Sequence, residues 1–402
     1  RNKQNRELME TIVMHEIKNK EQKKALNAWV KGGYCGSIIA GTGFGKSRCG
    51  VLAICHVLDK NYANWEVTAD PALILVPTVQ LQKQFKEEFI KWDKEEYLKD
   101  VEILCYQSAY KLKGIDYSIV VCDEVHLGLS PQYRKFFENN TYQHLLCMTA
   151  TLPEEEEYNL KLQEIAPINY TITLDKCVSL GLVSPYEIHC VPVKLTDIEQ
   201  AEYKKVNNKF VYWKYQLGNF DAFNEAKRVL ADTSAAPEMK QAAAQFYACI
   251  RARKKIVDFA SQKIYALQKI VVNNPEEKIL VFGGANAFTD QLAEATETLS
   301  TVYHSGKTKK QKEQAIKDFK DGTKTVLCST KALNQGFDVP DAGMGIICGL
   351  TSKSLSMVQR VGRLIRFQED KVGRIFILYV KDSQEEKWLK NSIKNLKNVV
   401  WH

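Results

Sequence analysis

The chain has 402 residues, with 45% hydrophobic and 26% charged side chains and a net charge of +8. That length exceeds one ordinary core and suits two α/β domains plus an insertion, and the composition is that of a folded chain, not a disordered one. No apolar run approaches the roughly 20 residues of a membrane span, so no membrane association is expected, while the positive charge permits nucleic-acid binding without requiring it.

Residues 1–24 are charged and helix-like and lack the apolar core of a signal peptide. The chain does not start with Met, so native residues upstream are expected, and an accessory domain there or a protein partner stays open. Eleven cysteines, an odd number, include no C-x-x-C pair, and Cys122, Cys147 and Cys328 lie inside apolar runs that read as strands. Reduced, buried thiols are therefore expected in place of disulfides, a zinc site or an iron–sulfur cluster, which fits a cytoplasmic protein.

Short apolar runs alternate with longer amphipathic ones, the pattern of parallel sheets flanked by helices. In the first half, strands are predicted near Ser37–Ala40, Ala72–Val76, Glu102–Tyr106, Ile119–Cys122 and Leu145–Met148, with helices around Lys46–Leu58 and Leu81–Trp92. Thr196 to about Val272 has little strand character and reads as several helices, with a turn-like break at Ala231–Pro237. The second half resumes the alternation, with strands near Lys278–Phe282, Thr301–His304, Thr325–Cys328, Gly345–Cys348 and Ile375–Val380. Helices near Thr289–Leu299, Lys309–Phe319 and Ser354–Leu364 separate them.

Two segments carry nucleotide chemistry. Strand Ser37–Ala40 runs into Gly41-Thr42-Gly43-Phe44-Gly45-Lys46-Ser47 and then a helix. Three glycines let the backbone turn tightly and aim its N–H groups at a di- or triphosphate, and the helix N-terminus adds its positive dipole end. Lys46 would reach the β- and γ-phosphates of ATP, and the Ser47 hydroxyl would ligate Mg2+. Ala40 stands where the strict phosphate loop has its first Gly. The second segment, Ser118–Cys122, is an apolar run ending in Asp123-Glu124-Val125-His126. At a strand C-terminus Asp123 would hold Mg2+ and Glu124 would polarise the attacking water. The alternative is a pair of acids that only caps the next helix.

The Asp-Glu-Val-His box resembles that of the superfamily 2 helicases of DExH type, and the resemblance runs through most of the chain. It implies an α/β fold of two RecA-like parallel-sheet domains in tandem, residues 1–184 and 185–402, with a helical insertion at about 196–272. Gln22 resembles the adenine-reading glutamine upstream of the phosphate loop, although the aromatic or proline usual before it is absent. Pro77-Thr78 with Leu81 and Gln84 resembles the motif that touches the nucleic-acid backbone, and Tyr106-Gln107-Ser108 a further strand-contacting element. Thr149-Ala150-Thr151 is similar to the motif that couples hydrolysis to strand handling, with His126 of the box.

In the second half, Thr330 to Asp338 matches the family's fifth motif, implying a strand-phosphate contact for Thr330 and nucleotide contacts for Gly336 and Asp338. Gln359-Arg360-Val361-Gly362-Arg363-Leu364-Ile365-Arg366 resembles the sixth. Arg363 and Arg366 share one helix face at this spacing. The chain has only 11 arginines, three of them within the seven residues Arg360–Arg366. A guanidinium at the γ-phosphate is worth about 10³–10⁵ in rate. Hydrolysis would then require the two domains to close on ATP.

The insertion leaves two readings open. Lys204, Lys205, Lys209 and Lys214 interleave with Phe210, Tyr212, Trp213 and Tyr215, which suits strand contact and stacking. Phe210, Trp213 and Leu217 also follow helical spacing and would serve as a packing stripe. The Arg251–Lys263 segment resembles the helix leading into the second domain of the XPB, UvsW and type I restriction-translocase group. The loose Tyr-Gln-Ser element and the His of the box also suit that group and favour DNA over RNA as the track. The expectation is a monomeric ATPase that moves on DNA and unwinds or remodels branched duplexes, like compact phage-type helicases. An RNA helicase, an ATP-gated duplex sensor and the motor subunit of a larger complex are the alternatives.

Overall fold

The apolar runs of the first half pair side by side in the computed structural model, which describes residues 2–41, 43–63, 70–150, 152–153, 155–218, 220–330, 342–351, 372–394 and 396–402. Strands β1 (Cys35–Ala40), β2 (Ala72–Val76), β3 (Val101–Cys105), β4 (Asp116–Asp123), β5 (Thr141–Thr149) and β6 (Ile168–Ile172) form one parallel sheet, ordered β3-β2-β4-β5-β1-β6. Among the described residues seven α-helices connect or cover it: α1 (Asn2–Lys31), α2 (Lys46–Ala63), α3 (Val79–Lys91), α4 (Tyr106–Ala109), α5 (Lys135–Asn139), α6 (Glu156–Ile165) and α7 (Leu174–Ser179).

A period of two explains why the strands are continuous apolar runs. Ile74 and Val76 face a core with Phe85, Phe89, Val121 and Met148, while Leu73 and Leu75 face the opposite core with Val120, Cys122, Leu145 and Leu162. Trp29 closes α1 onto this sheet: it is buried, and its indole N–H donates to the Leu145 carbonyl at 2.9 Å.

The second sheet is also parallel and contains β7 (Tyr186–Val193), β8 (Ile279–Phe282), β9 (Ser300–Tyr303), β10 (Val326–Ser329), β11 (Met344–Ile347), β12 (Gly373–Val380) and β13 (Val399–Trp401). Its order is β13-β7-β12-β11-β8-β10-β9. Between β7 and β8 stand four helices, α8 (Asp197–Gln216), α9 (Ala222–Ala231), α10 (Pro237–Asp258) and α11 (Ser261–Val272). Helices α12 (Asn286–Glu294), α13 (Lys309–Lys320) and α14 (Gln384–Ile393) complete the described residues. The break foreseen at Ala231–Pro237 is the α9–α10 turn, with Pro237 at the first turn of α10, where its missing N–H has no cost. The expected single helix over Arg251–Lys263 is instead two, because α10 stops at Asp258 and α11 starts at Ser261. The helix expected near Ser354–Leu364 lies outside the described residues.

Three strands carry no clear sequence signal. β6 is a sheet edge with Asn169, Tyr170 and Thr171 only partly covered or exposed, β13 is three residues long, and β7 contains Pro192. Proline cannot donate to a ladder and argues against a strand between two neighbours, yet β7 pairs with both β12 and β13.

One buried ion pair fastens the second sheet to its helices. Lys263 of α11 and Glu385 of α14 are both fully buried, 2.8 Å apart, and Lys263 also donates to the Cys348 carbonyl at 2.8 Å. The second Glu385 oxygen accepts from the Val380 backbone N–H at 3.0 Å. Burial pushes the Glu385 carboxyl above its usual range, and the Lys263 ammonium pulls it only part of the way back. Removing one partner strands the other as a buried charge, so Lys263→Met or Glu385→Leu alone is expected to cost about 3–5 kcal/mol. The double substitution is expected to cost much less than the sum, measured by denaturant unfolding; additive losses would show that the pair is not the operative contact.

Candidate active site

The chain leaves β1 at Ala40 and enters α2 at Lys46 through a loop whose Gly43 and Gly45 both have φ of +89°, a left-handed conformation that favours glycine. Space forbids a side chain there as well. A Cβ at Gly43 would come within 2.8 Å of Val183 Cγ2, and one at Gly45 would overlap the Gln22 amide. Phe44 anchors the turn: its ring is fully buried and its N–H donates to the Gly41 carbonyl at 3.3 Å. The first turn of α2 therefore opens onto the loop, with Ser47 half-buried in it. Lys46 arches back over the loop and donates to the Ala40 carbonyl at 2.8 Å.

Gln22, on α1, lies beneath this loop with both ends of its amide engaged. Its Nε2 donates to the Phe44 carbonyl at 2.8 Å, and its Oε1 accepts from Arg48 at 2.7 Å. Arg48 also donates to Asn19 and stacks over Trp92, 3.9 Å from the ring centroid. Lys18 borders the same turn; burial first, and then the Lys91 ammonium, lower its pKa. Arg48, Asn19 and Trp92 escaped the sequence reading, where the usable signal was an arginine directly after Lys46-Ser47 in an arginine-poor chain.

Strand order brings the other segments to the loop. β5 lies between β4 and β1, with Asp123 paired to Met148 and Thr149 paired to Ile39, so three strand C-termini stand side by side. Asp123 is buried and its carboxyl is pushed up to about 7, chiefly by burial and then by Glu124, while Lys46 acts in the opposite direction. Glu124 has a left-handed backbone (φ 48°, ψ 50°), unusual for a residue with a side chain. Its carboxylate joins a chain of contacts: Thr149 Oγ1 donates to Glu124 Oε2 at 3.4 Å, and His126 Nδ1 lies 3.0 Å from that hydroxyl. His126 Nδ1 is 3.5 Å from Glu124 Oε2 itself.

Other sequence candidates fall elsewhere. Thr78 is the N-cap of α3, its hydroxyl accepting from the Leu81 N–H at 3.4 Å. The strand expected to reach Tyr106 stops at Cys105, and Tyr106 opens α4. Its ring is buried and its hydroxyl donates to the Asp123 carbonyl at 2.9 Å, so only Gln107 and Ser108 of that triplet face outward. On the second sheet, Thr330 follows β10 and its hydroxyl donates to Asn286 Oδ1 at 2.7 Å and meets Thr289 Oγ1 at 3.1 Å. Nearby, Gly349 backs onto Gly284 so closely that a Cβ would overlap the Gly284 backbone. Thr42, Thr151, Gly336, Asp338, Gln359, Arg360, Arg363 and Arg366 lie outside the described residues.

Residues 19–112 match the DEAD/DEAH box helicase family model, and residues 262–368 match the helicase conserved C-terminal domain. The chain belongs to superfamily 2 of the helicases, and it is an ATP-hydrolysing enzyme. Within that class it is similar to the XPB group: the DNA 3'-5' translocase XPB2 of Sulfurisphaera tokodaii is 25% identical over 382 residues, covering 90% of this chain and 82% of that protein. Solved structures agree in fold. The Hef helicase domain of Pyrococcus furiosus has a TM-score of 0.56 at 15% identity, covering 93% of this chain and 97% of that one. S. cerevisiae Dbp5 bound to RNA and ADP BeF3 has a TM-score of 0.56 at 15% identity, covering 94% and 88%. Among the described residues no helix is long and apolar enough to cross a membrane.

The state of Asp123 gives a pH test. Its folded pKa of about 7 lies above its ordinary value of 3.8, so the folded state holds the extra proton between those limits. Its contribution to stability is present below about pH 4 and is lost as pH rises toward 7. In metal- and nucleotide-free buffer, Asp123→Asn is expected to gain stability relative to the parent across that window, at up to about 1.4 kcal/mol per pH unit. Thermal unfolding from pH 5 to pH 8 reads this directly; a difference that stays flat, or shrinks with rising pH, contradicts it.

Proposed function

We propose that this chain is a DNA translocase that couples ATP hydrolysis to movement on DNA and unwinds or remodels branched duplexes. The observation that carries the reading is the meeting of the glycine loop, the Asp123-Glu124 pair and the His126–Thr149 contact at three adjacent strand ends. The similarity to XPB2, whose name specifies DNA and 3'-5' polarity, supports DNA as the track and that polarity.

The residues present fit a magnesium nucleotide. The loop of Gly41, Thr42, Gly43 and Gly45 would cradle the phosphates, with Lys46 turning from the Ala40 carbonyl toward them and Ser47 and Asp123 holding Mg2+. When bound, ATP and Mg2+ supply the phosphoryl group and the charge that stabilises its transfer. Glu124 orients the attacking water. His126 and Thr149, in contact with that carboxylate, pass its state toward the strand-handling loops. Gln22 holds the loop from below and reads the adenine at its edge. Residues 1–184 and 185–402 are the two moving units, with Gly336, Asp338, Gln359, Arg363 and Arg366 brought to the nucleotide from the second. Thr78, Gln107 and Thr330 contact the strand. We further take the protein to be a monomer, open to an accessory domain or partner, and cytoplasmic, which its 11 free cysteines support.

The test is the ATPase rate without nucleic acid and with single-stranded, duplex and forked DNA and RNA, using Lys46→Ala as the blank. Single-stranded or forked DNA is expected to stimulate strongly and RNA weakly. Stimulation by RNA alone would overturn the choice of DNA. Glu124→Gln is expected to lower kcat by about 10²–10⁴-fold. Unchanged turnover in both Lys46→Ala and Arg363→Ala would overturn the site assignment.

A further inference from the structure

Helices α8 to α10 form a small helical body with its own core of Leu217, Ala226, Val229, Ala243 and Phe246. Phe210 and Trp213 pack against that core, so the helical stripe seen in the sequence is a packing stripe. The basic and aromatic character is not used up by this packing: Tyr212 and Tyr215 stay exposed, and Phe220 stands fully exposed in the turn before α9. Where this body meets α14 there is a cavity of about 330 Å³, walled by Phe210, Phe223, Phe246 and Trp388 and rimmed by Lys214 and Arg253. That volume falls in the range of small-molecule sites.

We infer that this cavity receives an unpaired nucleobase of the nucleic acid on which the enzyme acts, an inference that rests on the function proposed above. Phe210 and Phe246 stack on each other, nearly parallel and 5.3 Å apart, as the back wall, and Phe223, about half exposed, presents aromatic surface to an incoming base. An apolar peptide side chain would be satisfied by those walls alone, but the polar groups argue for a base with its phosphate. Arg253 lies over the Phe210 ring at 4.1 Å and donates to the Tyr203 hydroxyl at 3.3 Å, while its Nε is buried without a partner. Among the described residues neither Arg253 nor Lys214 forms an ion pair with a carboxylate. Ring nitrogens and carbonyls of a base accept from such donors, and its phosphate neutralises the rim cations. Asp221, also on the rim, accepts from Asn224 at 3.1 Å and supplies an acceptor for an exocyclic amine.

The position of the cavity agrees. β7 and β12 are parallel, with Val193 opposite Val380, so α8 and α14 both start from the C-terminal edge of the second sheet. Thr330 and Gly284 stand on the same edge. A strand held at that edge would therefore lie on the side of the sheet from which α8 and α14 start.

The experiment is a base-removal scan along the unpaired arm of a fluorescent forked DNA, read by equilibrium binding to the full chain. One position is expected to weaken binding by about five-fold or more when its base is removed, the scale of one stacking contact. The double substitution Phe223→Ala with Arg253→Gln is expected to weaken intact DNA by a similar factor and to abolish the effect of base removal at that position. DNA-free ATPase and circular dichroism are expected to match the parent, which excludes misfolding. A base-removal penalty that persists undiminished in the variant, or no sensitive position at all, overturns the pocket while leaving the motor reading intact. Absence of any nucleic-acid binding by the parent chain overturns both.

Discussion

A parallel strand buried on both faces can present chemistry only at its ends, and this constraint organises the enzyme. The C-terminal halves of β4, β5 and β1 are largely apolar because cores lie above and below them. At the C-terminal ends of these strands stand polar groups, Asp123, Thr149 and the loop after Ala40. The ladder register then fixes how these ends face one another. The consequence is electrostatic as well as geometric, since Asp123 sits deep enough that burial outweighs the opposing Lys46 and pushes the carboxyl up to about 7. If Asp123 holds Mg2+ as proposed, a cation arriving with the nucleotide would favour the ionised form and couple ligand binding to ionisation of this carboxyl.

The glycine loop depends on support from outside its own strand–helix unit. Gln22, Arg48, Asn19 and Trp92 connect α1, α2 and α3 beneath it, with Gln22 donating to one loop carbonyl and accepting from Arg48. Both hydrogen-bonding ends of the Gln22 amide are thereby committed to the protein. Under the function proposed above, a contact to an adenine would use the second donor or second lone pair of this amide, so base recognition and loop geometry would meet on a single side chain. A carboxylate in its place would lose the donor to Phe44, and a lysine would lose the acceptor for Arg48.

Much of this was legible because the decisive signals are local. The glycine loop, the acid pair after an apolar run and most strands and helices are short segments whose meaning does not depend on distant residues. What distance determines was not legible. The residues Glu124, His126 and Thr149 stand out individually, but their mutual contact follows from β5 lying beside β4, a pairing that no single segment encodes. Tyr106 reads as part of a strand-facing triplet, yet its ring turns inward to the Asp123 carbonyl, since an aromatic body gains more by burial than by exposure once its hydroxyl has a partner. β6, β7 and β13 were missed where polar residues, a proline or shortness weaken the alternation.

The insertion is tied to the second sheet through the C-terminal end of α10. α10 has 22 residues, about 33 Å of helix at the usual rise. Near its C-terminus Lys254 reaches the Leu350 carbonyl and Asp258, and the Asp258 carboxylate abuts Gly284 at the end of β8. Phe246, Ile250 and Arg253 of the same helix line the cavity one to three turns earlier. One helix thus touches the Gly284 and Leu350 loops near its C-terminus and lines the cavity further back, so under the function proposed above it would link the two. On the reading proposed above, the helical body would extend the strand-end surface of the sheet that bears Thr330.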